Sequence, residues 1–322
     1  MEWWTGLFDA AQQWVFEAVV QPLLFWGGMA HFLEDGYRAT GWFLVGLLQL
    51  LFIVALIAPL QRWRPVEAVS DRAAVRTDIF YTVLHRLGLF QLGLFFWIDP
   101  LWDRLFGALR IVGLHTFQLD GLWPGVTDGP WTSLVLYLLV FDLLGYWLHR
   151  GQHQFDWWWR LHALHHSQRQ LTVWSDDRNH LLDAVLRSSV VVLVAQLIGV
   201  APGQFVAIVA FTQLSESLQH ANLKLWFGRF GERMWVSPRF HRLHHAMGNG
   251  AAPERDAARG HNFGVLLPWW DMLFGTANFA LRFDPTGVRD QIDPGPDGRV
   301  RDYGRGFWAQ QWRGVLRLLG RA

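Results

Sequence analysis

The chain contains no cysteine and has few charged residues for its length. The lack of cysteine excludes disulfides, cysteine-ligated zinc, iron–sulfur clusters and thiol catalysis. Only 17% of its 322 residues are charged, whereas soluble proteins carry about 25%, and 52% are hydrophobic. The formal net charge is +1 and no run of Lys or Arg resembles a phosphate-binding patch, so nucleic acid is not an expected partner.

Long apolar segments predict an integral membrane protein. Gly41–Leu60 is long enough to span a bilayer and carries no charge, and Trp131–Leu148 contains only one acid, Asp142. Leu186–Gln219 predicts two short membrane-inserted helices that form a hairpin, broken near Gly199–Gly203. Two further segments are compatible with either a span or a shallow helix: Ala11–Met29 and Ile79–Ile98.

The distribution of arginine predicts the orientation of these segments. Arginines follow the predicted spans and surround most of the histidines, whereas the loop Asp99–Pro130 contains more acids than arginines. By the positive-inside rule, the histidines lie on the cytoplasmic side. The expected fold is therefore an all-α membrane helical bundle with a cytoplasmic, histidine-lined helical cap that binds two metals.

Three clusters of histidine carry most of the functional information. The members of each cluster are spaced three or four residues apart, with one adjacent pair in the second and third clusters: His149 and His153; His162, His165 and His166; His241, His244 and His245. This spacing places imidazoles on one face of a helix. Helix packing does not require eight imidazoles, whereas transition metals are commonly bound by them.

The adjacent pairs indicate two metals. Two neighbouring histidines on a helix cannot point the same way, and eight imidazoles exceed the ligands of a single ion. His220 closes the predicted hairpin and is expected to be a further ligand, as is His180. Asp142 and Tyr146 continue the stripe of His149 and His153 along one helix face. Iron, zinc and copper all remain candidates, as the metal of a redox or a hydrolytic centre.

The motifs of this region resemble the fatty acid hydroxylase/sterol desaturase superfamily. The resemblance runs from about Asp142 to Thr276 and rests on motifs in a characteristic order. These are Asp142-x3-Tyr146-x2-His149-Arg150 with His153, Trp159-Arg160-x-His162-x2-His165-His166-Ser167, His220-x-Asn222, Arg239-x-His241-x2-His244-His245, and Asn262-x-Gly264 with Trp270-Asp271-x4-Thr276.

The resemblance implies a non-haem di-iron oxygenase that uses two Fe²⁺ ions, with O₂ as co-substrate, to hydroxylate a C–H bond of a lipid-like substrate. The metal ligands that it implies are His149, His153, His162, His165, His166, His220, His241, His244 and His245, with His180 as a further candidate. We expect Asp142, Tyr146 and Asn262 to support catalysis from behind these ligands. The chain then divides into N-terminal membrane helices (1–130), a catalytic region (131–276) and a cytoplasmic tail with an amphipathic helix (277–322).

The expected partners are the membrane, a hydrophobic substrate that enters from the bilayer, and a separate electron donor of the ferredoxin or cytochrome type with its reductase. Three alternatives stay open. The first is a desaturase of a sterol or other lipid on the same scaffold. The second is a histidine-rich membrane metal transporter or sensor, and the third is a two-zinc hydrolase.

Overall fold

The computed structural model describes residues 2–247, 260–295 and 298–321. The regular structure of these residues is helical, apart from one isolated antiparallel bridge between Ala246 and Thr286. The prediction of an all-α fold is thus confirmed. The α-helices are α1 (Glu2–Val15), α2 (Gln21–Trp26), α3 (Leu33–Phe52), α4 (Ala58–Trp63), α5 (Arg72–Arg86), α6 (Leu89–Trp97), α7 (Asp99–Ile111), α8 (Pro130–Gln154), α9 (Asp156–His166), α10 (Leu181–Ile198), α11 (Pro202–His220), α12 (Gly228–Gly231), α13 (Pro238–His244), α14 (Trp269–Leu273) and α15 (Phe307–Leu318).

Three helical segments are long and apolar enough to cross a membrane: Ala30–Trp63, Pro130–Gln154 and Leu181–Ile198. The first consists of a short 3₁₀ turn, α3, a π-helical turn (Ile53–Ile57) and α4. The first two segments contain the predicted spans Gly41–Leu60 and Trp131–Leu148. Large apolar side chains along them are exposed, including Leu51 and Val54, which is the surface expected where the solvent is lipid.

The third segment belongs to the predicted hairpin. Helix α10 ends at Ile198 and is followed by Gly199, whose φ of +71° is the left-handed conformation of a helix C-cap. Pro202 then occupies the first turn of α11, a position where its missing N–H costs nothing. The break between α10 and α11 lies within Gly199–Gly203, where the sequence predicts it. Helix α10 begins at Leu181, earlier than the predicted Leu186, and therefore also carries Asp183.

Neither of the two ambiguous segments forms one membrane-length helix. Ile79–Ile98 is divided between α5 and α6 by Gly88, whose φ is +77°. The nine residues of α6 extend about 14 Å, too short to cross a bilayer of about 30 Å. Ala11–Met29 lies mostly in a run formed by α1, a π-helical turn and α2, which packs on α3 through a hydrogen bond from Gln12 Nε2 to the carbonyl of Tyr37.

A buried apolar cluster connects the membrane helices to the cap. Ile53 and Ile57, from the π-helical turn, contact Val173 and two residues that follow α11, Ala221 and Leu223. All five side chains are nearly or completely buried. The cluster therefore fixes the end of α11, where His220 lies, against the membrane segment Ala30–Trp63.

The C-terminal helix α15 packs against α9, and its position agrees with the predicted amphipathic helix. Arg317 Nε donates to the carbonyl of Arg160 at 3.1 Å, and Gln311 Nε2 donates to the Tyr81 hydroxyl at 2.8 Å. The opposite face exposes Trp308 and Trp312, which are 78% and 62% accessible. One face of α15 thus covers α9 and the other remains on the surface.

Gly46 allows α3 to approach the end of α5 closely. A Cβ atom at this position would lie 1.6 Å from the carbonyl oxygen of Arg86, so Gly46→Ala must force the two backbones apart. We expect a loss of about 1–3 kcal/mol of stability, measured as a lower unfolding temperature in detergent. Gly93→Ala is the control, because no atom lies within 4 Å of its Cβ position. Equal unfolding temperatures for the two variants would contradict this packing.

Candidate metal centre

Four helices bring the histidine clusters together. His149 and His153 lie near the C-terminal end of α8, the end that the sequence predicts to be cytoplasmic, and α11 ends at His220. Helix α9 carries His162, His165 and His166, and α13 carries His241 and His244 with His245 directly after it. All nine side chains are at most 8% exposed. Residues distant in sequence therefore meet in one buried region.

Helix α13 is short and is fixed by a polar network at its N-terminus. Ser237 caps it by accepting a hydrogen bond from the backbone N–H of Phe240 at 3.1 Å. The carboxylate of Glu232 accepts from the Ser237 hydroxyl at 2.7 Å and from Arg239 at 2.6 Å. Arg239 also donates to the carbonyl oxygens of Phe279 and Ala280. A seven-residue helix is thereby held in a fixed position.

The nine histidines form two groups, each able to hold one metal ion. In each group the candidate ligand nitrogens lie within 4.8 Å of one another. The five-histidine group consists of His149, His153, His162, His166 and His244, and the four-histidine group consists of His165, His220, His241 and His245. Each adjacent pair is divided between the groups, as the sequence predicts. The rings of His166 and His245 stack at 4.3 Å, so the groups are direct neighbours.

The distances between ring nitrogens fit metal coordination. The Nε2 atom of His220 lies 3.2 Å from that of His165 and 3.0 Å from that of His241. His244 and His166 approach at 3.1 Å in the other group. Imidazole nitrogens bound about 2.1 Å from one ion at right angles are about 3.0 Å apart. The Nε2 atom of His162 is buried and has no hydrogen-bond partner among the residues described, as expected of a ligand atom.

The electrostatic environment keeps these imidazoles neutral. Burial lowers the pKa of His165, His166, His241, His244 and His245 well below the ordinary value, and the neighbouring imidazoles lower the pKa further. A neutral imidazole has a free lone pair, which is the form that binds metal. The two groups are therefore prepared to accept cations at neutral pH.

Hydrogen bonds at Nδ1 orient four of the rings so that Nε2 faces the metal position. His149 donates to the carbonyl of Phe263 at 3.0 Å and His244 to that of His261 at 2.8 Å. His220 donates to the carbonyl of Glu216 at 2.8 Å. The partner of His162 is a side chain and not a backbone carbonyl: its Nδ1 contacts the carboxylate of Asp183 at 3.2 Å. Such outer contacts fix the tautomer and the ring angle of a metal ligand.

Two supporting carboxylates were not predicted from the sequence. Asp183 accepts hydrogen bonds from His162, from Gln152 and, at 2.6 Å, from the indole N–H of Trp158. Asp271 accepts from the backbone N–H groups of Phe263 and Gly264 at 2.8 and 2.7 Å. The available signal for Asp183 is an acid in the first turn of a helix that is long and apolar enough to cross a membrane.

Asp142 and Tyr146 lie behind the ligands but do not contact them directly. The carboxylate of Asp142 accepts from the backbone N–H groups of Leu266 and Leu267 and from the indole of Trp270. It therefore holds the loop after Phe263 against α8. The hydroxyl of Tyr146 contacts Thr276 and accepts from Arg150, both at 3.1 Å.

Asn262 shapes the loop that orients His244. It is the one non-glycine residue with positive φ among those described, at 60°, a conformation that Asn tolerates better than most residues. Its amide donates to the carbonyl oxygens of Phe240 and Asn278, both at 2.9 Å. The preceding residue, His261, contributes its carbonyl to His244, while its ring contacts Asn278.

His180 is the one predicted ligand that the structure places away from both groups. Its Nε2 donates to the carbonyl of Gln311 at 2.8 Å, and its Nδ1 accepts from the backbone N–H of Leu182. The ring also lies against Gly314, where a Cβ atom would come within 2.1 Å of it. Both ring nitrogens are used in capping α10 and joining it to α15, so we leave His180 out of the ligand set.

The fold and site define a helical protein with membrane-length helices and two buried histidine groups. Residues 134–276, somewhat less than half of the chain, match the family model described as fatty acid hydroxylase. This match confirms the resemblance found in the sequence. No solved structure matches the chain.

Three similar proteins carry the names of enzymes that modify different lipids. The ornithine lipid hydroxylase OlsE of Rhizobium tropici is 29% identical over 263 residues, which cover 81% of this chain and 72% of that protein. A fatty acid hydroxylase of Lecanicillium sp is 24% identical over 171 residues, or 48% of this chain and 44% of that protein. An alkylglycerol monooxygenase of Caenorhabditis elegans is 24% identical over 160 residues, or 49% of this chain and 29% of that protein.

The grouping predicts which histidines determine metal content. We expect His166→Ala to lose at least one of two bound ions, because it removes a ligand from the five-histidine group. His180→Ala is the matched control and should keep both ions, although it loses the contact with Gln311. Elemental analysis of the purified proteins measures the difference. Loss of metal from the His180 variant, with the His166 variant unaffected, would contradict the assignment.

Asp183 and Asp142 allow a second comparison, between an acid that contacts a candidate metal ligand and one that holds a loop. Asp183→Asn should lower metal affinity about 10–100-fold, because the carboxylate orients a ligand histidine. Asp142→Asn should instead lower stability by about 1–3 kcal/mol, because one of its backbone donors loses its acceptor. Competition with a chelator measures the first effect and thermal unfolding the second. A larger loss of metal affinity in Asp142→Asn than in Asp183→Asn would contradict the roles assigned to these two acids.

Proposed function

We propose that the protein is a membrane-bound non-haem di-iron monooxygenase that hydroxylates an unactivated C–H bond of a lipid-like substrate. The observation that carries the proposal is the pair of neighbouring, buried, all-imidazole groups in a fatty acid hydroxylase domain. The nine histidines named above would hold the two iron ions.

The donor set favours redox chemistry over hydrolysis. Neither group contains a carboxylate, whereas we would expect a carboxylate-rich ligand set in a two-zinc hydrolase. Bound Fe²⁺ supplies the capacity to reduce O₂ with two electrons and to insert one oxygen atom into a C–H bond. The overall balance is RH + O₂ + 2 e⁻ + 2 H⁺ → ROH + H₂O.

The residues of the chain fix the site and limit access of water. Asp142 and Asp271 hold the loop Phe263–Leu267 against α8, and Phe263 in that loop packs edge-on against His149 and His153 at 5.8 and 5.2 Å. Phe263 is completely buried. The imidazoles of the five-histidine group are thus shielded from solvent on this side, which protects an oxidising centre from side reactions.

The substrate class follows from the relatives and from the membrane-length helices. The similar proteins named above act, by their names, on ornithine lipid, fatty acid and alkylglycerol. A hydrophobic substrate of this kind would reach the protein by lateral diffusion in the bilayer, which fits the three membrane-length helices. We therefore propose a lipid or lipid-like substrate that enters from the membrane.

The non-enzymatic alternative is disfavoured by the arrangement of the histidines. A transporter requires polar groups along a path through its spans, whereas the nine imidazoles gather where α8, α9, α11 and α13 meet. A desaturase would use the same site, and no feature of the described residues favours it over a hydroxylase. The mass of the product separates the two reactions.

The electrons come from a separate protein in this proposal. Arginines that the sequence places near the predicted cytoplasmic side are exposed, among them Arg62, Arg72, Arg160 and Arg169. An acidic donor of the ferredoxin or cytochrome type would be attracted to such a surface. The histidine groups would then lie on the cytoplasmic side, as the positive-inside rule predicts.

Isotope incorporation tests the proposal directly. Cells or membranes containing the protein are supplied with ¹⁸O₂, and their lipids are compared by mass spectrometry with those of a His166→Ala control. We expect one ¹⁸O atom in a lipid product that is missing from the control. A product that has only lost two hydrogens would identify a desaturase. The absence of both products, with no O₂ uptake by the iron-loaded, reduced protein, would refute an oxygenase.

A further inference from the structure

An arginine at the end of helix α5 reaches the loop that lies beside the four-histidine group. The side chain of Arg86 is completely buried. Its Nη2 atom donates to the carboxylate of Asp176 at 2.7 Å, and its Nε atom donates to that of Asp177 at 3.0 Å. Both acids lie between α9 and α10. Because a buried ion pair contributes little net stability compared with apolar packing, stability alone does not explain this network.

The same guanidinium group also binds helix α11. The Nη2 atom of Arg86 donates to the carbonyl of Gln213 at 3.2 Å and to the hydroxyl of Ser217 at 3.0 Å. The hydroxyl of Ser217 in turn lies 3.3 Å from the carboxylate of Asp176. Arg86 therefore joins α5 and α11 to the loop that carries Asp176, and it fixes the position of this carboxylate from two directions.

The two oxygens of Asp176 have different neighbours. The Oδ2 atom receives the contacts of Arg86 and Ser217, whereas the Oδ1 atom lies 3.6 Å from the Nδ1 atom of His220. That distance is too long for a direct hydrogen bond, and the Nδ1 atom of His220 donates to the carbonyl of Glu216 at 2.8 Å. The carboxylate of Asp176 therefore acts on the imidazole of His220 through its charge.

The five-histidine group has a corresponding acid behind one of its ligands. The carboxylate of Asp183 lies 3.2 Å from the Nδ1 atom of His162, and its other side-chain donors, Gln152 and Trp158, are neutral. One candidate ligand in each group thus has a carboxylate behind its Nδ1 atom, an arrangement that orients the ring and makes Nε2 a better donor to a metal. Asp176 differs from Asp183 in being paired with a full positive charge.

We propose that Arg86 is a positioning residue of the four-histidine group: it fixes Asp176, and the negative charge of Asp176 orients and polarises the ring of His220. Asp176 lines the same small cavity as His220, which places it at the candidate metal centre. Arg86 lies outside residues 134–276, which match the family model, so that match assigns it no role. The proposal rests on the proposed function only in that the four histidines hold an iron ion.

Binding of ⁵⁷Fe²⁺ in detergent, without O₂, tests the proposal independently of activity. We expect Arg86→Gln and Asp176→Asn to lower the affinity of the four-histidine group for iron about 10–100-fold and to leave the other iron unchanged. Competition with a chelator measures the affinities, and Mössbauer spectra distinguish the two iron sites. The spectrum of His166→Ala, in which the four-histidine group is complete, identifies the signal of that group. Unchanged affinity for both irons in both variants overturns the proposal.

A second buried ion pair between the same two segments provides a matched control. Arg178 lies in the loop after α9 and donates to Asp78 on α5, and neither side chain contacts a candidate ligand among the described residues. Arg178→Gln should lower the unfolding temperature, as Arg86→Gln does, yet bind both irons like the wild type. An equal loss of iron affinity in Arg178→Gln and Arg86→Gln would show a general structural effect and overturn the assignment.

The double variant tests whether Arg86 acts through Asp176. If it does, Arg86→Gln combined with Asp176→Asn should bind iron no more weakly than the more damaging single variant, because both changes disturb one interaction. Losses that multiply as independent effects overturn the proposal. Asp176→Asn leaves the contact between Arg86 and Asp177 in place, so it provides the test on its own if Arg86→Gln does not fold.

The wild-type protein separates failure of this inference from failure of the proposed function. A wild-type protein that binds iron in neither histidine group overturns the proposed function and this inference together. A wild-type protein with iron in both groups, whose Arg86 and Asp176 variants bind iron like the Arg178 control, overturns this inference and leaves the proposed function intact.

Discussion

The burial of nine imidazoles at contact distance is the constraint on which the rest of the structure depends. Their Nε2 atoms face one another at 3.0–3.2 Å where these distances are defined, and two lone pairs at that separation repel each other unless a proton or a cation lies between them. Burial opposes the proton, since it lowers the pKa of these histidines. A divalent metal ion in each group satisfies the lone pairs without protonation.

The surrounding structure fixes the rings in this arrangement. Backbone carbonyl groups of Phe263, His261 and Glu216 each accept from one ligand ring. Two of these carbonyl groups lie in segments that are themselves held. Asp271 and Asp142 accept hydrogen bonds from the loop that contains Phe263, and the side chain of Asn262, next to His261, bonds to the backbone of Asn278. Two buried carboxylates, Asp142 and Asp271, thus stabilise the metal site through backbone contacts, whereas Asp183 contacts a ligand imidazole directly.

The sequence predicted the fold class, the two membrane-length helices, the break of the hairpin and the division of the adjacent histidines between two groups. These succeed because helical spacing and apolar length are local properties. The position of His180 was not predictable in the same way. Its surroundings depend on α15, more than one hundred residues later in the chain, whose Gln311 supplies the competing hydrogen bond and whose Gly314 allows the close approach.

Supporting residues were predicted less well than ligands for a related reason. Asp142 lies on the same helix stripe as His149, but its hydrogen-bond donors come from a distant part of the chain, the backbone N–H of Leu266 and the indole of Trp270. Asp183 contacts His162 from a different helix, so no spacing within one segment reveals the pair. Sequence periodicity places residues on a face of a helix, whereas the partner of that face is decided by tertiary packing.

The location of the metals tests the central claim most directly. An experimental structure of the iron-loaded protein, with anomalous scattering measured at the iron absorption edge, should show two iron peaks. One is expected among His149, His153, His162, His166 and His244, and the other among His165, His220, His241 and His245. A single peak, or iron bound elsewhere while these imidazoles remain metal-free, would contradict the account.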